Sequence, residues 1–466
     1  MPKDLGSFIN QLRLHHGHEL VEIDRQISPN RYEATAILSQ LTKAGRFPMV
    51  LFQSCENLRG QDSGISIVSN VFARRERCAL ALDFPPEKCQ MPLSLHFSQL
   101  EARRVDPVTV PAAQAPVKEV IIPRDSIDLA DLPIVRHFEM DLGPVLTMAC
   151  CMRDPDSGVY DVSFIKTFYK GPKKLGISIH TPHLERILSR YEEMGQPAPV
   201  INILGHHPAF SLGALALTPY DRDDYESIGA FLQEPLRLTP SETWGDKFMV
   251  PADAEIIIEG EIPPGVREIV DPFGEVTRHY QAQCLRQVMK VTALTMRRKA
   301  ILQDIFSGHE GHWNLGALPK EGGIFNAIKS KLGNVVAVHM PHSGVGRLSC
   351  YISIKKTKEG QAKRAAMLAL NESVQTQAVV VVDEDIDVFN EKEVIWAALT
   401  AVNPQRDVDL IRNINTVFTN SFGYNKLIID ATRPLDVAYP AVIKVPDEVM
   451  ARVKLSDWLD PGKIKV

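Results

Sequence analysis

A Pro272-Phe273-Gly274 turn ends on Glu275, at the close of the segment EIIIEGEIPPGVREIVDPFGEVTRHY. Proline fixes φ and glycine admits left-handed geometry, so such a turn can aim one carboxylate in a defined direction. By itself the segment reads as a hairpin with acidic edges, Glu268 and Asp271 being acidic as well. Three HxxH pairs also stand out: His180/His183, His309/His312 and His339/His342. On a helix this spacing puts both rings on one face. Prolines and glycines interrupt the pairs, however, which points to loops or turns. None has the HExxH pattern of a zinc hydrolase.

The elements that must position these groups follow from composition and periodicity. At 466 residues the chain is too long for one ordinary core. It is 44% hydrophobic and 23% charged, with no apolar run long enough to span a bilayer. The start, MPKDLGSFIN, lacks the apolar core of a secretory signal, and a net charge of −5 gives no reason to expect nucleic acid. Seven cysteines without CxxC spacing read as reduced thiols in a cytoplasmic protein. Residues 1–115 alternate helical and strand patterns and close on a Pro/Ala-rich connector. Residues 116–310 carry short apolar runs broken by Pro, Gly and Asp, with a helix over His183–Met194, and predict a β-rich region. Residues 311–466 hold the continuous run VVVVDED, as in a buried strand, followed by the helical period of EKEVIWAALTAV, and read as α/β.

The wording of several segments goes further. EIIIEG followed by VDPFGE resembles the UbiD-like decarboxylases, whose usual form runs EIVLEG, a spacer, then PEGPFGE. DLGSFINQL, HELVEIDRQISPN, VPADAEIIIEG, GQAKRAAM, VVVVDEDIDVFNEKEVIWAALTAVNPQRD and KLIIDATRP resemble family segments in the family's order. The resemblance implies an α/β (α+β) chain: an N-terminal α/β region, a central split β-barrel of flavin-reductase type, and a C-terminal α/β domain used to form a homodimer or higher homo-oligomer. It also implies prenylated FMN, supplied by a flavin prenyltransferase, its phosphate held through Mn2+ with K+ nearby.

Carried over position by position, the family's Asn, small residue and Arg become Asp161, Ser163 and Lys166 in YDVSFIK, and its metal-binding histidine becomes His183. Asp161 and His183 are therefore the expected metal ligands, since Asp for Asn keeps an oxygen donor. Arg237 in EPLRLTPSET stands where a ligand glutamate is expected, with Glu234 three residues earlier. A guanidinium has no lone pair for a metal. Arg237 is therefore expected to fork directly onto the flavin phosphate in place of Mn2+. Lys363 in GQAKR matches a basic position near that phosphate.

For catalysis the resemblance implies a Glu-Arg-Glu network. Glu275 matches the supporting glutamate, Lys166 replaces the arginine, and Val270 replaces the glutamate that delivers a proton. Valine transfers no proton, so Asp271, Glu268, His309 and His312 are the candidate donors; imidazole suits proton transfer near neutrality. The implied activity is non-oxidative, reversible decarboxylation of an aromatic or α,β-unsaturated carboxylic acid. Two other readings stand beside it: a subunit of a multi-component aromatic carboxylase, and a catalytically silent partner without flavin.

Overall fold

A computed structural model describes residues 2–270, 272–416, 423 and 425–458. The chain is mixed α/β, as expected, and among the described residues no helix is long and apolar enough to cross a membrane.

Near the N-terminus the Asp4 side chain accepts from the Ser7 amide at 2.7 Å, capping helix Leu5–His15. Its Leu5, Phe8, Ile9 and Leu12 turn inward. This N-terminal region builds a small sheet in the order Leu20–Ile23, Met49–Phe52, Ser66–Ser69, Ile301–Gln303. The last strand arrives from the far side of the central region and pairs parallel with Ser66–Val68. That pairing fixes where the chain from Asp304 to His309 emerges.

The central region forms a ten-stranded sheet. Its spine is the 13-residue strand Cys284–Met296, which pairs antiparallel with Lys174–Ile177, Ile256–Ile262, Arg267–Val270 and Val120–Ile122. Ile256–Ile258 are wholly buried, as a continuous apolar run requires. The register shifts at Glu259/Gly260, and a Cβ on Gly260 would lie 2.7 Å from the Lys290 carbonyl. At one margin Ala149–Arg153 pairs with Tyr160–Phe164, the strand that carries Asp161 and Ser163. The predicted helix over 183–194 is present as Pro182–Glu193. The connector expected near residue 110 does more than connect, because Val108–Thr109 joins Arg237–Leu238 in a three-stranded sheet.

The C-terminal region is a five-stranded sheet whose strands Ser349–Ile354, Ala378–Asp383 and Asn425–Asp430 run parallel. Helix Gln361–Glu372 packs its alanine face into the same core as Val379, Val381 and Ile428. Between this sheet and the central region lies the 23-residue helix Glu310–Leu332. Its carboxylate Glu321, wholly buried, receives Arg75 at 2.9 Å, and His339 Nδ1 lies 2.9 Å from it, which ties the N-terminal region to the C-terminal one. Those charged bonds hold Glu321 far below the usual carboxylate range against the opposing effect of burial.

This helix corrects one expectation. His309 and His312 do not lie in a loop: His309 caps Glu310–Leu332 and His312 sits in its first turn. Glycines at 311, 316, 322 and 323 and Pro319 read as breakers, yet Gly322 lets the Ser94 backbone come closer than a Cβ would allow. Close packing overrides propensity there.

Candidate active site

Lys166 follows the strand Tyr160–Phe164 directly, and its ammonium forms an ion pair with Glu275. The ammonium also stands 4.4 Å from the centroid of the Phe273 ring. Two backbone bonds close the turn that holds Glu275: its amide donates to His279 O at 2.8 Å, and the Arg278 amide donates to Glu275 O at 3.0 Å. Gly274 is needed because the Phe138 ring presses where a Cβ would be. Phe138 stacks on Phe306, which stacks on His309 at 3.5 Å between centroids. The expected Pro-Phe-Gly turn is instead extended: Phe273–Gly274 pairs with Tyr280–Gln281, the turn follows Glu275, and the aromatic stack packs against this short strand.

The pair opens onto a cleft of about 420 Å3, counted to its solvent mouth. Phe164, Ile165, Leu215, Ile305 and Leu315 give it apolar walls; Thr147, Lys166, Ser307, His312 and Arg347 give it polar points. This is the usual make-up of a small-molecule site. His312 accepts from the Gly308 amide at 3.3 Å. Burial, then the charges of Arg347 and Lys166, push its pKa well below the ordinary value. Burial pushes His309 down to about 4. Burial thus disfavours the charged form of both imidazoles, which weighs against the expectation that either donates a proton near neutrality.

Val270 is 0% exposed and packs with Val145, Phe168 and Phe273, so the position of the missing donor has become core. Glu268 is held by Lys170 at 3.0 Å and Lys174 at 3.1 Å on an exposed strand, and does not turn to the cleft. Asp271 lies outside the described residues.

A second cluster lies along the same strand. Asp161 accepts from Ser163 Oγ at 3.0 Å, and its other oxygen stands 3.0 Å from His183 Nδ1. The hydrogen bond to Asp161 raises the His183 pKa, against burial. Arg186, one turn along the helix, lies over the Tyr220 ring at 4.0 Å, and His183 meets that ring edge-on. Asp224, in the first turn of helix Asp224–Leu232, accepts from the Val162 amide at 2.8 Å. Burial, then the negative charge of Asp161, raise its pKa well above the carboxylate range. Burial brings the neighbouring Asp223 up to about 6. Among the described residues no three His, Cys, Asp or Glu side chains already converge as a metal cage. The raised value of Asp224 reflects burial and the crowding of its carboxylate by Asp161; a divalent cation would relieve that crowding, and carboxylate oxygens with one imidazole suit such an ion.

Arg237 has other partners. Its Nη1 is 2.7 Å from Asp253 Oδ1, and its Nη2 donates to the Gln114 carbonyl at 2.7 Å. Each bond uses a face of the fork that a phosphate would need, so the expectation of direct phosphate binding does not suit its contacts. Glu234 accepts from the Lys3 amide at 2.7 Å. Lys363 pairs with Asp409 at 2.9 Å and donates to Arg406 O at 3.1 Å, both in the C-terminal region. Asp161, Ser163 and His183 are thus brought together, and Lys166 with Glu275 and His312, while Arg237 and Lys363 stand elsewhere. Asp224 and Arg347 were not anticipated. Asp224 in DRDDYESIGAFL reads as ordinary helix capping, and Arg347 in SGVGRLSC reads as a turn residue.

Comparison with known proteins agrees with this architecture. Family models match in sequence order: the 3-octaprenyl-4-hydroxybenzoate carboxy-lyase N-terminal domain over residues 12–90, its Rift-related domain over 108–310, and its C-terminal domain over 314–431. Anhydromevalonate phosphate decarboxylase of Methanothermobacter thermautotrophicus is 30% identical over 426 residues, covering 90% of this chain and 95% of its own. Phenolic acid decarboxylase of Sedimentibacter hydroxybenzoicus is 29% identical, covering 93% and 92%. The UbiD-class enzyme HmfF from Pelotomaculum thermopropionicum, solved in complex with FMN, superposes with a TM-score of 0.89 at 33% identity, over 98% of this chain and 100% of that one. An evolved dimeric form of HmfF in complex with prFMN gives 0.86 at 34%, with the same coverage. With all three domains matched in order and a 30% identical relative spanning nine-tenths of its length, the chain belongs to the UbiD family.

Proposed function

We propose that this protein is a non-oxidative, reversible decarboxylase of an aromatic or α,β-unsaturated carboxylic acid that works with prenylated FMN. The observation that carries the reading is the Lys166–Glu275 pair, whose lysine lines an apolar-walled cleft. Asp161, His183 and Asp224 would hold the divalent cation of the cofactor phosphate, with Ser163 and Arg186 beside it. Bound prenylated flavin would supply the electron sink for the carbon that loses CO2.

What this chain's residues contribute follows from their chemistry. The Lys166 ammonium attracts the substrate carboxylate, and the apolar walls exclude water and strengthen that attraction. As the carbon–carboxylate bond breaks, CO2 leaves and the carbon must take up one proton. Arginine cannot give one up in a protein, but lysine can. Val270 has removed the usual donor, Asp271 lies outside the described residues, and we assign delivery of the proton to Lys166 Nζ, at the cleft. Glu275 then stabilises the charge that Lys166 regains from solvent. Lysine for arginine and valine for glutamate are thus one linked change: a single side chain takes both roles.

Expression with a flavin prenyltransferase tests the reading. The expected product is a yellow protein carrying prenylated flavin and a stoichiometric divalent cation, which releases CO2 from at least one acid. A colourless, metal-free protein under those conditions would favour the silent-partner reading.

A further inference from the structure

Beside the cleft lies a buried imidazole that proton transfer from Lys166 does not use. His137, its side chain wholly buried, places Nε2 2.9 Å from Asp304 Oδ1. The fold fixes that carboxylate: Asp304 directly follows strand Ile301–Gln303 and accepts from Thr147 Oγ1 and Ser69 Oγ, each at 3.1 Å. Thr147 lines the cleft together with Lys166. The other ring nitrogen, Nδ1, is buried without a hydrogen-bond partner among the described residues, an orphan that calls for a reason. Asp304 therefore offsets the charge of the ring from one side only. Aromatic rings pack around it: Phe306 stacks on the imidazole at 6.1 Å between centroids, and Phe273 meets it edge-on at 6.3 Å. Phe273, wholly buried, also has the Lys166 ammonium 4.4 Å from its centroid, so one apolar ring stands against both groups. Burial favours the neutral imidazole. Asp304, by charge and hydrogen bond, and then Asp141, by charge, nonetheless raise its pKa, with the Lys166 ammonium opposing them. Repulsion is mutual, so the imidazolium acts on Lys166 as Lys166 acts on it, with little solvent between to screen it.

A lysine donates a proton near neutrality only when its hold on that proton is loosened, by burial or by a second cation. Glu275 and the face of Phe273 both tighten the hold of Lys166. Burial disfavours the charged forms of His309 and His312, and Arg347, which lines the cleft, is itself reached by the charge of Glu275. Resting on the decarboxylase reading, we infer that His137 is a positioning residue for proton delivery: its buried imidazolium, anchored by Asp304, repels the Lys166 ammonium across Phe273 and readies it as the donor. Nζ–H passes its proton to the carbon that has lost CO2 and is left as a neutral amine, while His137 keeps its own proton throughout.

Titration of Lys166 in the flavin-loaded protein tests this without requiring turnover. It is followed by NMR of 13C-labelled lysine, the signal being the one that K166M removes. In H137Q the midpoint should rise by about one pH unit, a roughly tenfold loss of acidity. H137Q/D304N removes the imidazolium without baring its partner and should raise the midpoint by at least about half a unit. T147V breaks a bond to Asp304 without changing charge and should leave the midpoint within about 0.2 unit of wild type. If the His137 variants do not fold, the reciprocal measurement decides: in K166M/E275Q, His137 should titrate at higher pH than in wild type, by 15N NMR. At pH 7, H137Q should release CO2 about three- to tenfold more slowly while binding acids within about twofold of wild type. Its alkaline limb should move upward with the Lys166 midpoint, which a merely structural defect would not do. An unmoved midpoint in H137Q/D304N, a rise in T147V as large as that in H137Q, or an unmoved His137 in K166M/E275Q would overturn the inference. A wild type that releases no CO2 would remove the decarboxylase reading, and the Lys166 midpoints would still decide this one.

Discussion

The strand Tyr160–Phe164 and the residues just after it serve two clusters of opposite electrostatic character. At its far end Lys166 meets Glu275, a cation and an acid that neutralise each other. At its near end the charge of Asp161 reaches Asp224, His183 bonds to Asp161, and Arg186 lies over the Tyr220 ring beside them. The first cluster is complete in protein atoms and ready to do chemistry. The second carries charge that the fold does not balance, as suits a place where a cation and a phosphate are to be held. Five residues of one chain thus separate a self-sufficient site from one that waits for a partner.

The largest expected effect breaks the self-sufficient end. K166M should lower CO2 release by two to four orders of magnitude, roughly the range of general acid–base catalysis, while the protein stays yellow. E275Q should fall less steeply, because it supports the charge and transfers no proton. At the other end D161A and H183A should abolish cofactor and cation retention together, read by flavin absorbance and metal analysis. Colour loss in K166M with colour kept in H183A would reverse the two assignments.

D224N sharpens the contrast through stability. The folded pKa values of Asp223 and Asp224 lie above the unfolded value near 4, about 6 for Asp223. The folded state then binds more protons over that interval. Their contribution is fully present below about pH 4 and is lost as pH rises through the folded values. Cofactor-free D224N should therefore melt higher than wild type at pH 7 and no higher at pH 4, by thermal denaturation. Saturating Mn2+ should erase the difference by stabilising wild type alone.

His309 should show the opposite sign. Its folded value, about 4, lies below the unfolded value near 6.5. Its contribution is present above pH 6.5 and is lost as pH falls toward 4. H309Q should flatten that limb of the stability profile, with a smaller effect than D224N at pH 7. The pH–rate profile should likewise show no histidine ionisation between pH 6 and 7. An inflection there that disappears in H312Q would return the proton donor to histidine.

How far the sequence reached differs between the same two clusters. Strands such as Ile256–Ile262 and Ala378–Asp383 were legible because buried strands are written as continuous apolar runs. Glu275, Lys166, Asp161 and His183 were legible because each lies within a local pattern. Helix Glu310–Leu332 was not, since its glycines read as breakers and their partners, Ser94 and Arg347, are far away in sequence. Asp224 and Arg347 reach their clusters only through tertiary packing, 63 and 181 residues from Asp161 and Lys166 respectively. Arg237 shows the converse, since nothing local to EPLRLTPSET foretells that Asp253 will hold its guanidinium. Local wording identifies the groups that a short segment presents; it is silent on partners supplied by another region.

The central claim, that Lys166 both attracts the carboxylate and delivers the proton, is tested most directly by K166R. Flavin-loaded wild type and K166R, matched by absorbance, would be offered the same panel of ring mono- and dicarboxylic acids while headspace CO2 is measured. Arginine keeps the charge and cannot release a proton, so the account predicts acid binding within a fewfold of wild type and CO2 release at least about a hundredfold slower. CO2 release from K166R at the wild-type rate would contradict it.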